Sequence, residues 1–362
     1  MKGFLRAGHT PTLVAALLYF DVSFMTWVLL GPLAPFLRGD LGLSATEQGL
    51  LTAIPLLGVA GASFAVALPL ASRWYPPEHQ GLAMGIAGAG NSGSLLATIA
   101  APRLAERFGW SATFGLMILP LLVVTIVFAL LAKESPQPGQ RQTWRDYAGV
   151  FKEPDALWFC GLYALTFGGF VGFTSFLTTF FNEQYHVSRV SAGDITTLVV
   201  VSGSLLRPVG GWLSDRIGGY RLLLVLLMAV ASALTVASTL PPLPAVIAIL
   251  FIALGCLGMG NGAVFQLVPQ RFADRMGLVT GIVGAAGGLG GFFLPSMLGA
   301  IKDATGTYAP GLMILAAGFM AGALALLQLG SVWSAQWHQP MAQRAGIFCY
   351  RAVVRGWGQS GV

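Results

Sequence analysis

The chain has 362 residues, 55% hydrophobic and 9% charged, against roughly 25% charged in ordinary soluble domains. That balance excludes a soluble enzyme and specifies an all-α polytopic membrane protein whose surroundings are the lipid bilayer. The formal charge of +6 follows membrane orientation, as its distribution shows, and no nucleic-acid partner is expected from it.

A spanning helix needs about 20 mostly apolar residues. By that measure ten spans are predicted, at 12–37, 47–72, 81–102, 110–132, 157–181, 191–213, 220–239, 243–268, 277–300 and 310–332. Lys2 and Arg6 ahead of the first run resemble the start of a signal peptide. The run from Pro11 to Leu37 is too long for such a segment and has no small-residue cleavage site, so it reads as the first span. The only long polar interruption, Lys133 to Asp155, contains Pro136, Pro138 and four basic residues. It divides the chain into an incomplete four-helix bundle (1–133), a cytoplasmic linker (134–155), a six-helix bundle (156–334) and a cytoplasmic tail (335–362). The tail, with Trp337, Arg344, Arg351 and Arg355, is expected to be disordered or to lie at the membrane interface.

Basic residues set the orientation. With the N-terminus in the cytoplasm, fourteen Lys and Arg fall on the cytoplasmic side and five (Arg38, Arg103, Arg107, Arg189 and Lys302) on the outer side. Arg207 alone remains inside a helix. The bias predicts a multi-pass protein of the inner (plasma) membrane with both termini cytoplasmic. Cys160, Cys256 and Cys349 have no paired or metal-like spacing, and the two in apolar segments read as small core residues.

One stretch recurs. Gly81 to Gly93 reads Gly-Leu-Ala-Met-Gly-Ile-Ala-Gly-Ala-Gly-Asn-Ser-Gly, and Gly277 to Gly291 repeats its glycines, Gly81, Gly85 and Gly88 matching Gly277, Gly281 and Gly284. Gly88 to Gly93 fits the dinucleotide pattern G-x-G-x-x-G, but that fingerprint needs a preceding strand and a soluble helix. Here it lies in an uncharged apolar run, where glycines three and four apart let helix backbones approach closely. Tyr19 matches Tyr163 at an offset of 144 and Ser44-Ala45 matches Ser191-Ala192 at 147, yet the glycine stretches are 196 apart. About fifty residues are therefore missing from the first part between Ala45 and Gly81, enough for two helices and a loop. Residues 47–72 read as the outer half of one helix fused to the inner half of another.

Gly210-Gly-Trp-Leu-Ser-Asp-Arg-Ile-Gly-Gly219 resembles the major facilitator loop motif G-x-x-x-D-R-x-G. Gly88-Ala-Gly-Asn-Ser-Gly93, its echo, Leu205-Leu-Arg-Pro-Val-Gly-Gly211, Phe20-Asp-Val-Ser-Phe-Met-Thr-Trp27 and Ala71-Ser-Arg-Trp-Tyr-Pro-Pro-Glu78 resemble the nitrate/nitrite porter family. The resemblance implies alternating access and a nitrate or nitrite anion as cargo, with no cofactor and no metal. In that family an arginine from each half clamps the anion. Arg207 matches the second-half arginine, and its planar fork suits a planar anion. A purely structural Arg207, capping a break at Pro208, is the alternative. Asn91, Tyr163, Phe167, Phe64 and the glycines Gly88 and Gly284 match other site positions, although Phe64 and Phe167 taken alone read as plain packing. Gly281, Gly284 and Gly287 would let their helix approach the site. Asp215 and Arg216 match the conformational-switch positions. Asp21 either carries a proton or bonds Ser23 or neighbouring backbone.

The departure lies in the gap, which removes the first-half arginine: no Lys or Arg occurs between Ala45 and Ser72. A transport-inactive remnant or scaffold, and a porter of another small anion, are the competing functions. Association of two chains is a way to replace the lost helices.

Overall fold

The computed structural model describes residues 2–58, 66–67, 70–71, 73–76, 83, 86–134, 143–272 and 275–347, and every regular element among them is helical. In lipid, a backbone has no solvent partner, so each apolar run satisfies its own hydrogen bonds as a helix. The first part contains α1 (Lys2–Ala7), α2 (Thr10–Trp27), α3 (Leu30–Leu41) and α4 (Ala45–Gly58). A 3-10 turn, Ala89–Ser92, leads into α5 (Gly93–Phe108), followed by α6 (Trp110–Leu116) and α7 (Ile118–Leu131). The linker carries α8 (Trp144–Val150), opened by a capping box between Thr143 and Asp146.

The second part starts with α9 (Pro154–Tyr163), a π-helical turn (Ala164–Gly168) and α10 (Gly169–Tyr185), which together cross the membrane once. There follow α11 (Arg189–Ile217), α12 (Gly219–Ala237), α13 (Leu243–Arg271), α14 (Met276–Thr305) and α15 (Ala309–Gln336), then a short α16 (Gln339–Ala345). Among the described residues, eight helical stretches are long and apolar enough to span a membrane. They correspond to eight of the ten expected spans. The other two are represented by α4 and α5, beside the stretches outside the described residues.

The helix breaks have local causes. Between α2 and α3, Pro32 has no N–H for the Val28 carbonyl, and Gly31 donates there instead at 3.0 Å. Pro208 makes no such break: α11 runs through it for 29 residues. At 1.5 Å per residue α11 is about 43 Å long, more than the hydrocarbon thickness, and its two ends carry the charges Arg189 and Asp215-Arg216.

Helix packing rests on bare backbone. A Cβ added to Gly258 of α13 would come within 2.0 Å of the Gly203 carbonyl on α11, and one added to Gly210 within 2.2 Å of the Met259 carbonyl. The two parts meet through α4 against α14, α5 against α11 and α3 against α10. On α4–α14, a Cβ at Gly49 would reach the Pro295 carbonyl at 2.4 Å, and one at Gly299 the Ala45 carbonyl at 2.2 Å.

The tail corrects an expectation. Residues 337–347 are not disordered but packed on the second part, with Trp337, Ala342, Ala345 and Ile347 all buried. The indole N–H groups of Trp333 and Trp337 donate to buried Asp155 at 2.7 and 3.2 Å, and Arg271 joins the same carboxylate. Gly346 lies against Gly218, where an added Cβ would meet the Gly346 Cα at 2.3 Å, and both glycines have positive φ (78° and 89°). Arg221 donates to the Gly346 carbonyl at 2.9 Å. A few anchors dock this segment, which is why it shows no apolar periodicity. Cys349, Arg351 and Arg355 lie outside the described residues.

Candidate functional site

Between Asp194 and Asp215 the 29-residue α11 carries one charged side chain, Arg207. It is 7% exposed. A charge at that depth needs a partner or a polar path, and the partner comes from the second part. The Arg207 Nη2 donates to the Tyr163 hydroxyl at 3.3 Å, and its guanidinium carbon stands 5.8 Å from the centre of the Phe167 ring. Tyr163 and Phe167 are one helical turn apart and stack, centroids 5.0 Å apart and 5° from parallel.

The glycine stretches bracket this group. On one side, a Cβ at Gly88 would stand 3.5 Å from Nη2 and 3.6 Å from Cζ of Arg207. On the other, a Cβ at Gly287 would fall 2.7 Å from Tyr163 and 2.8 Å from Phe167 ring atoms. The two related stretches thus both lie against one cation–aromatic stack, one at the guanidinium and the other at the rings. Gly284 is buried on α14 one turn before Gly287, whereas the Cβ position of Gly281 faces open space. Among the described residues, Gly281 therefore does not provide the close approach expected of it.

Asn91 is fully buried in the 3-10 turn. Exchanging its amide oxygen and nitrogen brings the nitrogen within 3.2 and 3.3 Å of the Gly88 and Ala89 carbonyls, to which it then donates. In that orientation the amide ties the turn that carries Gly88 to the guanidinium, and the Asn91 carbonyl accepts from the Ser94 hydroxyl at 2.7 Å. Asp21, half-buried on α2, accepts from the Ser92 hydroxyl at 2.7 Å rather than from Ser23. A Cβ at Gly93 would sit 1.9 Å from the Asp21 carbonyl, so α2 and the start of α5 touch backbone to backbone. Phe64 lies outside the described residues. Asp215 and Arg216 are exposed at the end of α11, and Arg216 covers the Trp212 ring of its own helix at 3.9 Å.

Sequence reasoning passed over three aromatic walls. Phe24 and Trp27 of α2 lie 6.0 and 6.4 Å from Phe167, and the Trp27 indole donates to the Pro55 carbonyl at 2.8 Å. Phe265 of α13 meets the Tyr163 ring edge-on at 4.7 Å. The spacing Phe20, Phe24, Trp27 was the available signal, an aromatic stripe on one face. The assembled group presents a buried cation in an aromatic and glycine cradle, suited to a small, partly dehydrated anion.

The Major Facilitator Superfamily profile matches residues 56–295. A "Probable nitrate/nitrite transporter" of Mycobacterium tuberculosis is 32% identical over 370 positions, covering 86% of this chain and 94% of its own. The chain belongs to the nitrate/nitrite porter family of the major facilitator superfamily. A "Nitrite extrusion protein" of Bacillus subtilis is 32% identical over 351 positions, covering 81% of this chain and 87% of its own. Among solved structures, a D-xylose-proton symporter superposes with a TM-score of 0.66 at 16% identity, covering 87% of this chain and 95% of its own. A bacterial homologue of the human lysosomal transporter Spinster, inward-facing and occupied, gives 0.61 at 18%, covering 88% and 96%. These two establish the fold alone.

The alignment to the mycobacterial family member is also longer than the part of this chain that it uses. It is 370 positions long but uses 86% of 362 residues, about 311, so about sixty positions stand opposite no residue of this chain. That agrees with the shortfall in the internal repeat. This member of the family is a multi-pass membrane protein with an incomplete first half.

Proposed function

We propose that this chain moves nitrate or nitrite across the cytoplasmic membrane by alternating access, its two parts rocking about a site at Arg207. The observation that carries the reading is the buried guanidinium set between Gly88, Tyr163 and Phe167. The names of the family members support the cargo. A guanidinium offers two parallel N–H donors to two oxygens of a planar anion, which an ammonium does not. With no cation between Ala45 and Ser72, the anion meets one arginine. The missing charge-assisted hydrogen bond is worth about 1.5–3 kcal/mol, a tenfold or greater loss of affinity. The expected behaviour is transport at high substrate concentration. The basic-residue bias supports a cytoplasmic placement of both termini.

The test is uptake and export in a strain lacking its own nitrate and nitrite transporters. Wild type should restore nitrate-dependent growth, and Arg207→Lys should cut the initial rate about tenfold or more at equal membrane abundance. Equal rates in the two chains would remove Arg207 from the site. No transport by a properly inserted wild type would make the protein a scaffold of the same fold.

A further inference from the structure

A second polar group lies level with Arg207. Helices α11 and α13 run parallel, and Arg207 and Asn261 each stand eighteen residues beyond the first residue of their helix. Their register is fixed by contact, since a Cβ at Gly262 would lie 2.6 Å from the Arg207 carbonyl. Asn261 is fully buried, and among the described residues neither its amide nitrogen nor its amide oxygen has a hydrogen-bond partner. Its neighbours one turn either way show which way it faces. Leu257 lies against Gly169, and Phe265 against the Tyr163 ring. Gly169 and Tyr163 bracket the π-turn Ala164–Gly168, so Asn261 is set against that turn. Thr166, in the turn itself, is 1% exposed and its hydroxyl is likewise unpartnered. Its methyl comes within 2.8 Å of where a Gly260 Cβ would be, adjacent to Asn261.

Two orphaned polar side chains at one level of a hydrocarbon-embedded core call for a ligand, because a buried amide without partners is strongly disfavoured. A π-turn often marks a functional position. Both groups can donate, and neither carries charge. They suit an anion's oxygens in a place where the first part supplies no second cation.

We propose that Asn261, with Thr166 beside it, is a second anion-contacting station, donating to nitrate or nitrite oxygens that the Arg207 fork does not cover. The proposal rests on the nitrate/nitrite reading above. The measurement is the rise in melting temperature of the purified chain against nitrate concentration, with chloride as control. Wild type should respond with a definite midpoint. Asn261→Ala should raise that midpoint about tenfold. Asn261→Asp, nearly the same shape but negative, should abolish the response, and Thr166→Val should weaken it less. Asn261→Asp and Thr166→Val carry the test if Asn261→Ala does not fold. Melting temperatures without nitrate should change little in variants that fold. A wild-type midpoint in the Asn261 variants, with the response lost in Arg207→Lys, overturns this station and leaves the arginine site standing. Lower stability with an unchanged midpoint means packing alone and also overturns it. No nitrate response in wild type overturns both readings together. A wild-type midpoint in Arg207→Lys with a raised one in Asn261→Ala removes the arginine and keeps Asn261.

Discussion

Arg207 and its two glycine neighbours differ in how much room they leave. A methyl at Gly88 would stand at ordinary contact distance, 3.5 Å from the guanidinium. At Gly287 it would enter the Tyr163 and Phe167 rings at 2.7 and 2.8 Å. Overpacking of that kind costs about 1–3 kcal/mol and shifts side chains. Gly287→Ala should therefore push the aromatic pair off Arg207 and lower nitrate uptake about tenfold or more, whereas Gly88→Ala should change it by less than about threefold. Initial rates at equal surface expression decide this, and equal effects at the two positions would contradict the geometry. Arg207 was legible in the sequence because it is the one charge in the long apolar stretch between Asp194 and Asp215. Asn261 was not, since a lone amide among glycines carries no pattern until its neighbours are known. Asn91 was legible as a position but not as part of a buried 3-10 turn, which glycine-rich composition does not announce.

The elements meet through polar ties at the end expected to face out. Asp303 at the end of α14 accepts from the Ala45 and Thr46 backbone N–H groups, at 3.0 and 2.6 Å, and from the Thr46 hydroxyl. It thereby caps α4 of the other part. Arg38 pairs with Glu183, to which Tyr308 also donates at 2.6 Å. Burial and the adjacent carboxylate push the Tyr308 phenol above its usual range, so it remains a donor at physiological pH. Arg103 and Asp194 pair through two bonds of 2.7 and 2.9 Å but are 45% and 43% exposed. Exposed pairs contribute little, whereas loss of a helix cap costs about 0.5–2 kcal/mol. Buried Gln48 of α4 lies beside these ties, bonded to Thr179 across the two parts. A cysteine at Gln48 should become several-fold more reactive toward an impermeant maleimide from outside when Asp303→Asn or Glu183→Gln is added. Arg103→Ala should leave it nearly unchanged, and the reverse ranking would refute this assignment of the ties. The spans themselves were readable from apolar length. The break at Val28 and the π-turn were not, because each depends on which carbonyl loses its donor.

At the scale of the whole molecule, the two parts are built on one plan with different amounts of material. In the first, Gly90 and Gly93 lie on Phe20 and Asp21 of α2; in the second, Gly287 and Gly290 lie on Tyr163, Phe167 and Ala164. That repeat was legible in glycine spacing, and the shift in its offset from 144 and 147 to 196 carries the shortfall of the first part. The docked tail was not legible, since it is held by Asp155 and a glycine pair rather than by an apolar face. The plan makes the loss testable by repair. About sixty positions of the alignment to the mycobacterial family member stand, in total, opposite no residue of this chain, and the resemblance to the family implies that the first-half arginine belongs to the segment missing after Gly58. Inserting that segment after Gly58 should supply a second guanidinium opposite Arg207 and lower the substrate concentration for half-maximal uptake about tenfold or more. The same insertion with its arginine changed to alanine should restore the helices without the affinity. If both chimeras gain equally, the missing helices limit transport by their packing, and the single arginine is sufficient for the anion.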